Sequence, residues 1–120
     1  MDYLEEIKKK YPDIVAFKED DDNWENLGFS AMKNENYNEA QEFFEKLCLS
    51  QPKHHAGYEG LAYVHYKKHN QVKALWFMDK AISLVKEFLK DNSIDIEVVE
   101  EMKNNMVNIQ NKDNLLEWWK

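Results

Sequence analysis

Apolar residues recur along the chain at spacings of three and four with polar residues between them, which is the rhythm of amphipathic helices. Tyr3, Leu4, Ile7 and Tyr11 form the first row, and it predicts a helix over residues 2–11. Pro12 closes it, because a residue before proline avoids helical backbone. Ile14, Val15 and Phe17 follow and are expected to pack inward. The acidic run at 19–22 leads into the next helix, with Asp22 and Glu25 spaced as a capping box and placed to suit the positive end of a helix dipole. The pattern then predicts helices at about 23–34, 37–50, 55–68 and from 71 to about 90, with Asn36 and Asn70 as N-caps. Val99, Met102, Met106 and Ile109 make a last stripe over 94–110, with Ser93 as its cap, and the chain closes on NLLEWWK.

The pattern repeats. The shift that brings Glu25 onto Glu59 also brings Leu27 onto Leu61, Lys33 onto Lys67, Asn36 onto Asn70, Ala40 onto Ala74, Phe43 onto Phe77 and Lys46 onto Lys80. Trp24 with Tyr58, Gly28 with Ala62, Phe29 with Tyr63 and Phe44 with Met78 add similar pairs. A period of this length is the mark of stacked helical hairpins. Glycine inside a helix costs roughly 1 kcal/mol against alanine, so Gly28 calls for a packing reason. The expectation is a close approach by the partner helix, with Trp24, Leu27, Phe44 and Leu47 filling the space around it.

At Trp24-x2-Leu27-Gly28, Ala40-x3-Phe44 and Pro52 the chain resembles the tetratricopeptide repeat family. The resemblance implies an all-α, right-handed superhelix of helical hairpins, with an N-terminal helix and C-terminal capping helices in one domain. The first repeat would span about 21–54 and the second about 55–88, with 94–119 a degenerate third repeat or a cap. Ala31 and His65 depart from the family's usual tyrosine, Met78 from its phenylalanine and Lys86 from its proline, so the fourth repeat helix is expected to run on to about Lys90.

The 120 residues fit one domain, and 43% hydrophobic with 13% aromatic residues is enough to build a core. A net charge of −7 makes nucleic acid a poor partner, since phosphate binders carry a basic patch. The N-terminus lacks a signal-peptide core and no apolar run reaches membrane-spanning length, so the expected location is cytoplasmic, with no membrane partner. Cys48 is the sole cysteine; it sits between Leu47 and Leu49 and is expected in the core.

Candidate chemistry is sparse. His65 and His69 lie four apart, a spacing that can hold a metal, but no acid or cysteine stands at a supporting interval, and a packing role is expected. His54 and His55 fall in the turn between repeats and are expected to be solvated. The acids at 19–22 lack the alternating ligands and glycine of a calcium loop. No serine motif, phosphate loop or dinucleotide fingerprint occurs. The expectation is a non-enzymatic protein with no cofactor.

The resemblance implies a concave groove lined by the first helix of each hairpin. On this chain the matching positions are Asp22, Glu25, Phe29, Met32 and Lys33, then Ala56, Glu59, Tyr63, Tyr66 and Lys67. Helical spacing agrees, for these positions lie off the face set by Leu27, Gly28, Leu61 and Ala62. Some family members grip a C-terminal carboxylate there with basic and amide side chains. Here the matching places hold Glu25, Phe29 and Gly60, and the chain contains no arginine, so a hydrophobic or basic segment of another protein is the expected ligand. An adaptor or chaperone role follows. The alternatives are a groove covered by the chain's own termini, through Ile14, Val15 and Phe17 or through LLEWW, and a homodimer that buries the groove or the Trp118–Trp119 pair.

Overall fold

The computed structural model describes residues 2–16, 23–90 and 95–120, apart from the Phe88 side chain. Phe17, the acidic run with Asp22, and Ser93 lie outside the described residues. Among those described there are six helices and no strand: α1 (Tyr3–Lys10), α2 (Trp24–Lys33), α3 (Tyr37–Ser50), α4 (Ala56–Lys67), α5 (Gln71–Lys90) and α6 (Ile96–Gln110). The chain is all-α. None of these helices is long and apolar enough to cross a membrane.

Each of α2 to α5 packs on the helix that follows it, and α2 also touches α4. Phe44 on α3 is the pivot of this packing and is fully buried. Its ring lies against backbone that has no side chain to offer. A Cβ on Gly28 of α2 would stand 2.5 Å from the Phe44 ring, and one on Gly60 of α4 would collide with the same ring. Gly57 serves the same purpose nearer the start of α4, where a Cβ would stand 2.8 Å from the Cys48 sulfur. Both neighbouring helices therefore close on α3 through glycine, and the lost helix propensity is offset by contact with a large aromatic ring.

The turns repeat as well. After α2 the chain turns through Glu35 at φ 60°, and after α4 through His69, the equivalent repeat position, at φ 64°. Asn36 N–H donates to the Ala31 carbonyl and Asn70 N–H to the His65 carbonyl, each at 2.8 Å. These bonds satisfy carbonyls that a helix end otherwise leaves open, with a left-handed residue closing the turn. Lys112, at φ 57°, ends α6 the same way, with Asp113 N–H donating to the Asn108 carbonyl at 2.8 Å.

Helix α1 packs on α3 and across to α5. Ile7 is buried, Tyr3 meets Trp76 edge-on with centroids 5.3 Å apart, and Lys10 Nζ donates to the buried Glu45 carboxylate at 2.7 Å.

Several local expectations are corrected. Leu27 is exposed whereas its counterpart Leu61 is fully buried, because α2 is the first helix of the stack and α4 has the α2–α3 hairpin packed in front of it. Val15 is exposed rather than packed inward. Asn36 is the N-cap of α3 but its side chain makes no capping bond, whereas Asn70 accepts from Lys73 N–H at 3.2 Å. The N-cap of α2 is Asn23, in left-handed backbone, and that of α6 is Asp95.

Candidate functional site

The groove positions and the C-terminal residues meet on the side formed by α2, α4 and α6. After α6 the chain runs back over these helices without regular structure, from Asp113 to Lys120. Leu115 and Trp119 point into the protein and are buried, while Leu116 and Trp118 keep more than 40% of their surface exposed.

Asn105 on α6 sets the register of this tail. It is fully buried, accepts from Leu116 N–H at 2.7 Å, and donates to the Leu116 carbonyl at 3.1 Å. One amide side chain thus satisfies both main-chain groups of one residue, as a neighbouring β-strand would. The same Nδ2 donates to the Tyr63 hydroxyl at 3.1 Å, and that hydroxyl donates to Glu59 Oε2 at 2.6 Å. The Trp118 indole lies beside the Glu59 carboxylate and the Tyr63 hydroxyl. Lys67 forms an ion pair with Glu117, and the Tyr66 hydroxyl donates to the Asp113 carbonyl.

Aromatic rings complete the seat. Tyr63 and Trp119 stack with centroids 4.8 Å apart and planes at 29°. Phe29 packs on Trp118 at 4.6 Å and edge-on against Phe44 at 4.8 Å, so the tail reaches the central ring of the fold through one intermediary. Stacked and edge-to-face pairs of this kind contribute beyond the area they bury, by roughly 0.5–1.5 kcal/mol each.

Of the positions expected in the groove, Phe29, Glu59, Tyr63, Tyr66 and Lys67 all touch the tail. Met32 and Ala56 are buried in the core, Glu25 is half-buried, and Lys33 is exposed at the end of α2. Asp22 lies outside the described residues. The four large apolar groups do not stand open: Met32 is buried in the core, Tyr63 is buried and Phe29 and Tyr66 are half-buried, these last three against the C-terminal segment. Asn105 is the residue that sequence reasoning missed. Its signal is a polar side chain inside the apolar stripe of Val99, Met102, Met106 and Ile109.

Neither a protein-family model, nor a curated protein, nor a solved structure matches this chain. What the groove does must be read from its own geometry.

The histidines separate. His65 is buried and stacks on Phe77 with planes at 10°, while His69 has left the helix in the left-handed turn, so the two do not share a helical face. His54 and His55 are not solvated as expected. Their rings stack 4.6 Å apart, His54 Nδ1 accepts from Ala56 N–H, and Nδ1 of His55 is buried. The His55 and His65 side chains are pushed down to about 4, in both cases first by burial. Among the described residues no group of three or more His, Cys, Asp or Glu side chains is placed to hold a metal ion. The Cys48 thiol is fully buried and pushed well up by burial, which leaves it unreactive.

Glu59 gives the site a pH signature. Burial pushes its carboxyl up to about 7, opposed by hydrogen bonds from Tyr63 and Trp118 and reinforced by the charges of Glu25 and Glu101. Neutral His55, with Nε2 3.9 Å from the carboxylate, offers no counter-charge near pH 7. The folded chain holds this proton more tightly than the unfolded chain. The stability it brings is fully present below about 4.5 and is lost as pH rises through about 7. The two buried histidines act in the opposite sense, with stability present above 6.5 and lost as pH falls through about 4. Glu59→Gln is expected to gain about 3 kcal/mol on wild type between pH 4.5 and 8. Urea melts of both proteins across that range are the check, and parallel pH profiles would show that Glu59 ionises freely.

Proposed function

We propose that this chain is a non-enzymatic protein–protein interaction module of tetratricopeptide-repeat type, a superhelix of two hairpins closed by α6. Its groove takes an extended segment of another protein, as an adaptor or chaperone. One observation carries this reading. The face built by α2, α4 and α6 already holds a segment without regular structure, the chain's own C-terminal tail, through a buried side chain that reads main-chain groups. A surface that satisfies the backbone of a non-regular segment is equipped for another segment of the same geometry. Turns that recur at equivalent positions, Glu35 with Asn36 and His69 with Asn70, support the repeat reading.

The test uses the full chain. A variant with a weakened tail, Trp118→Ala/Trp119→Ala, and the wild type are each presented with a random eight-residue peptide library. Enrichment on the variant above wild type, with both monomeric by light scattering, is the expected result. Equal and negligible enrichment would remove the reading. A dimer that grows with concentration would favour self-association instead.

A further inference from the structure

We infer that the partner of this groove is a non-helical segment with an acid followed by two aromatic residues, seated in the register and the closing turn that Glu117, Trp118 and Trp119 hold in the free chain. The inference rests on the groove reading above and adds the chemistry of the ligand. It replaces the expectation of a basic segment, because the groove's ion pair with its occupant is Lys67 on Glu117, a carboxylate that also holds the tail's own Lys120.

Three contacts select the pattern and one fixes its frame. Asn105 grips the main chain of the residue before the acid and ignores its side chain, since Leu116 points outward. Lys67 then takes the acid. The next residue packs its ring on Phe29, and an indole there lies beside Glu59 and Tyr63 with a donor that phenylalanine and leucine lack. The last residue stacks on buried Tyr63, and a planar aromatic side chain fits there best. A basic residue in place of the acid would leave Lys67 facing a like charge beside the buried Asn105–Tyr63–Glu59 chain of hydrogen bonds.

The space next to the tail points the same way. A cavity of about 540 Å³ is lined by Tyr66, Lys67, His69, Gln71 and Lys112, with no acidic side chain among them. The chain's own tail cannot fill it, because Asp113 is tied to the end of α6. A segment arriving from another protein has residues upstream of that point, and acids among them would face Lys67 and Lys112. The net charge of −7 opposes an acidic ligand only at long range, where salt at about 0.1 M screens charges beyond roughly 10 Å.

The tail is then the competitor of the partner. Tethered segments reach effective concentrations in the mM range, so a free peptide of equal quality gains little occupancy until the tail is weakened.

The experiment titrates a fluorescein-labelled peptide with the sequence of residues 113–120, DNLLEWWK, into the full-length protein and reads anisotropy. A second peptide carries lysine in place of its glutamate. Wild type is compared with Trp118→Ala/Trp119→Ala and with Glu117→Lys, which repels the tail from Lys67 while keeping both tryptophans in place. Circular dichroism selects the variants that keep their helices. The native peptide is expected to bind a tail-weakened variant at least about tenfold more tightly than wild type, and the lysine peptide about tenfold more weakly than the native one. Adding Lys67→Glu to the tail-weakened background should reverse the preference between the two peptides. Equal binding of both peptides would leave the groove reading standing and overturn the acid–aromatic pattern. Binding of neither to folded variants would overturn both. A dimer formed by exchange of tails would make a second copy the occupant and overturn the inference of a foreign partner.

Discussion

Replacing Phe44 with alanine is expected to remove about 3–5 kcal/mol of folding stability, the range for truncating a fully buried phenylalanine. The side chain fills the space that Gly28 and Gly60 leave on the two flanking helices, and it supports Phe29 beneath the tail. The cavity would be walled largely by backbone, which cannot collapse into it as flexible side chains can. Small domains hold only about 5–15 kcal/mol in total, so the variant is expected to be largely unfolded near 37 °C. The reciprocal change is informative too. Gly60→Ala gains about 1 kcal/mol of helix propensity yet places a methyl group within the Phe44 ring, so a net loss of about 1–3 kcal/mol is expected. In a Phe44→Leu background the cost of Gly60→Ala should shrink, because the branched chain leaves the ring's outer volume empty. Urea melts of the four proteins form a double-mutant cycle. Additive losses would show that the glycine and the ring do not share the space assigned to them.

Asn105→Ala is expected to release the tail while leaving the helices in place. The substitution removes two bonds to Leu116, one to Tyr63 and one from the Asn108 amide. Each buried polar group left without a partner costs about 1–3 kcal/mol. The Tyr63 hydroxyl keeps its bond to Glu59, so the main loss falls on the tail, which can recover its bonds in water by lifting off. Hydrogen exchange at the Leu116 amide should accelerate by about a hundredfold, corresponding to roughly 3 kcal/mol. Amides in the middle of α3 and α4 should keep their protection, and the tryptophan emission should shift to the red as Trp119 leaves Tyr63. Unchanged exchange at Leu116 would show that the aromatic contacts alone hold the tail. A loss of protection throughout would make Asn105 a core residue of the whole fold rather than the clamp of one segment.

Much of the helical framework was legible along the chain. Spacings of three and four placed every helix to within about two residues, because buried faces of amphipathic helices impose that period whatever they pack against. Gly28 was legible for a related reason. A glycine inside a strong helical pattern is costly, and its packing use against Phe44 is what the structure shows. Leu27 was misread because position in a repeat does not say whether a neighbour exists, and among the described residues α2 lacks the preceding hairpin that α4 has. His55 was misread because a turn between helices reads as surface, while here the turn folds against the end of α4.

By itself, then, the sequence determined the local elements of this protein and the two-fold recurrence of its hairpins, since both follow from periodic patterns carried by neighbouring residues. It also nominated Phe29, Tyr63 and Lys67, which the structure places against the C-terminal tail. Only the tertiary structure decided what covers them. The clamp joins Asn105 to Leu116, the ion pair joins Lys67 to Glu117, and the stack joins Tyr63 to Trp119. Such contacts between distant residues have no period along the chain. They exist because α2, α4 and α6 each present side chains to a seat that the last eight residues are long enough to reach.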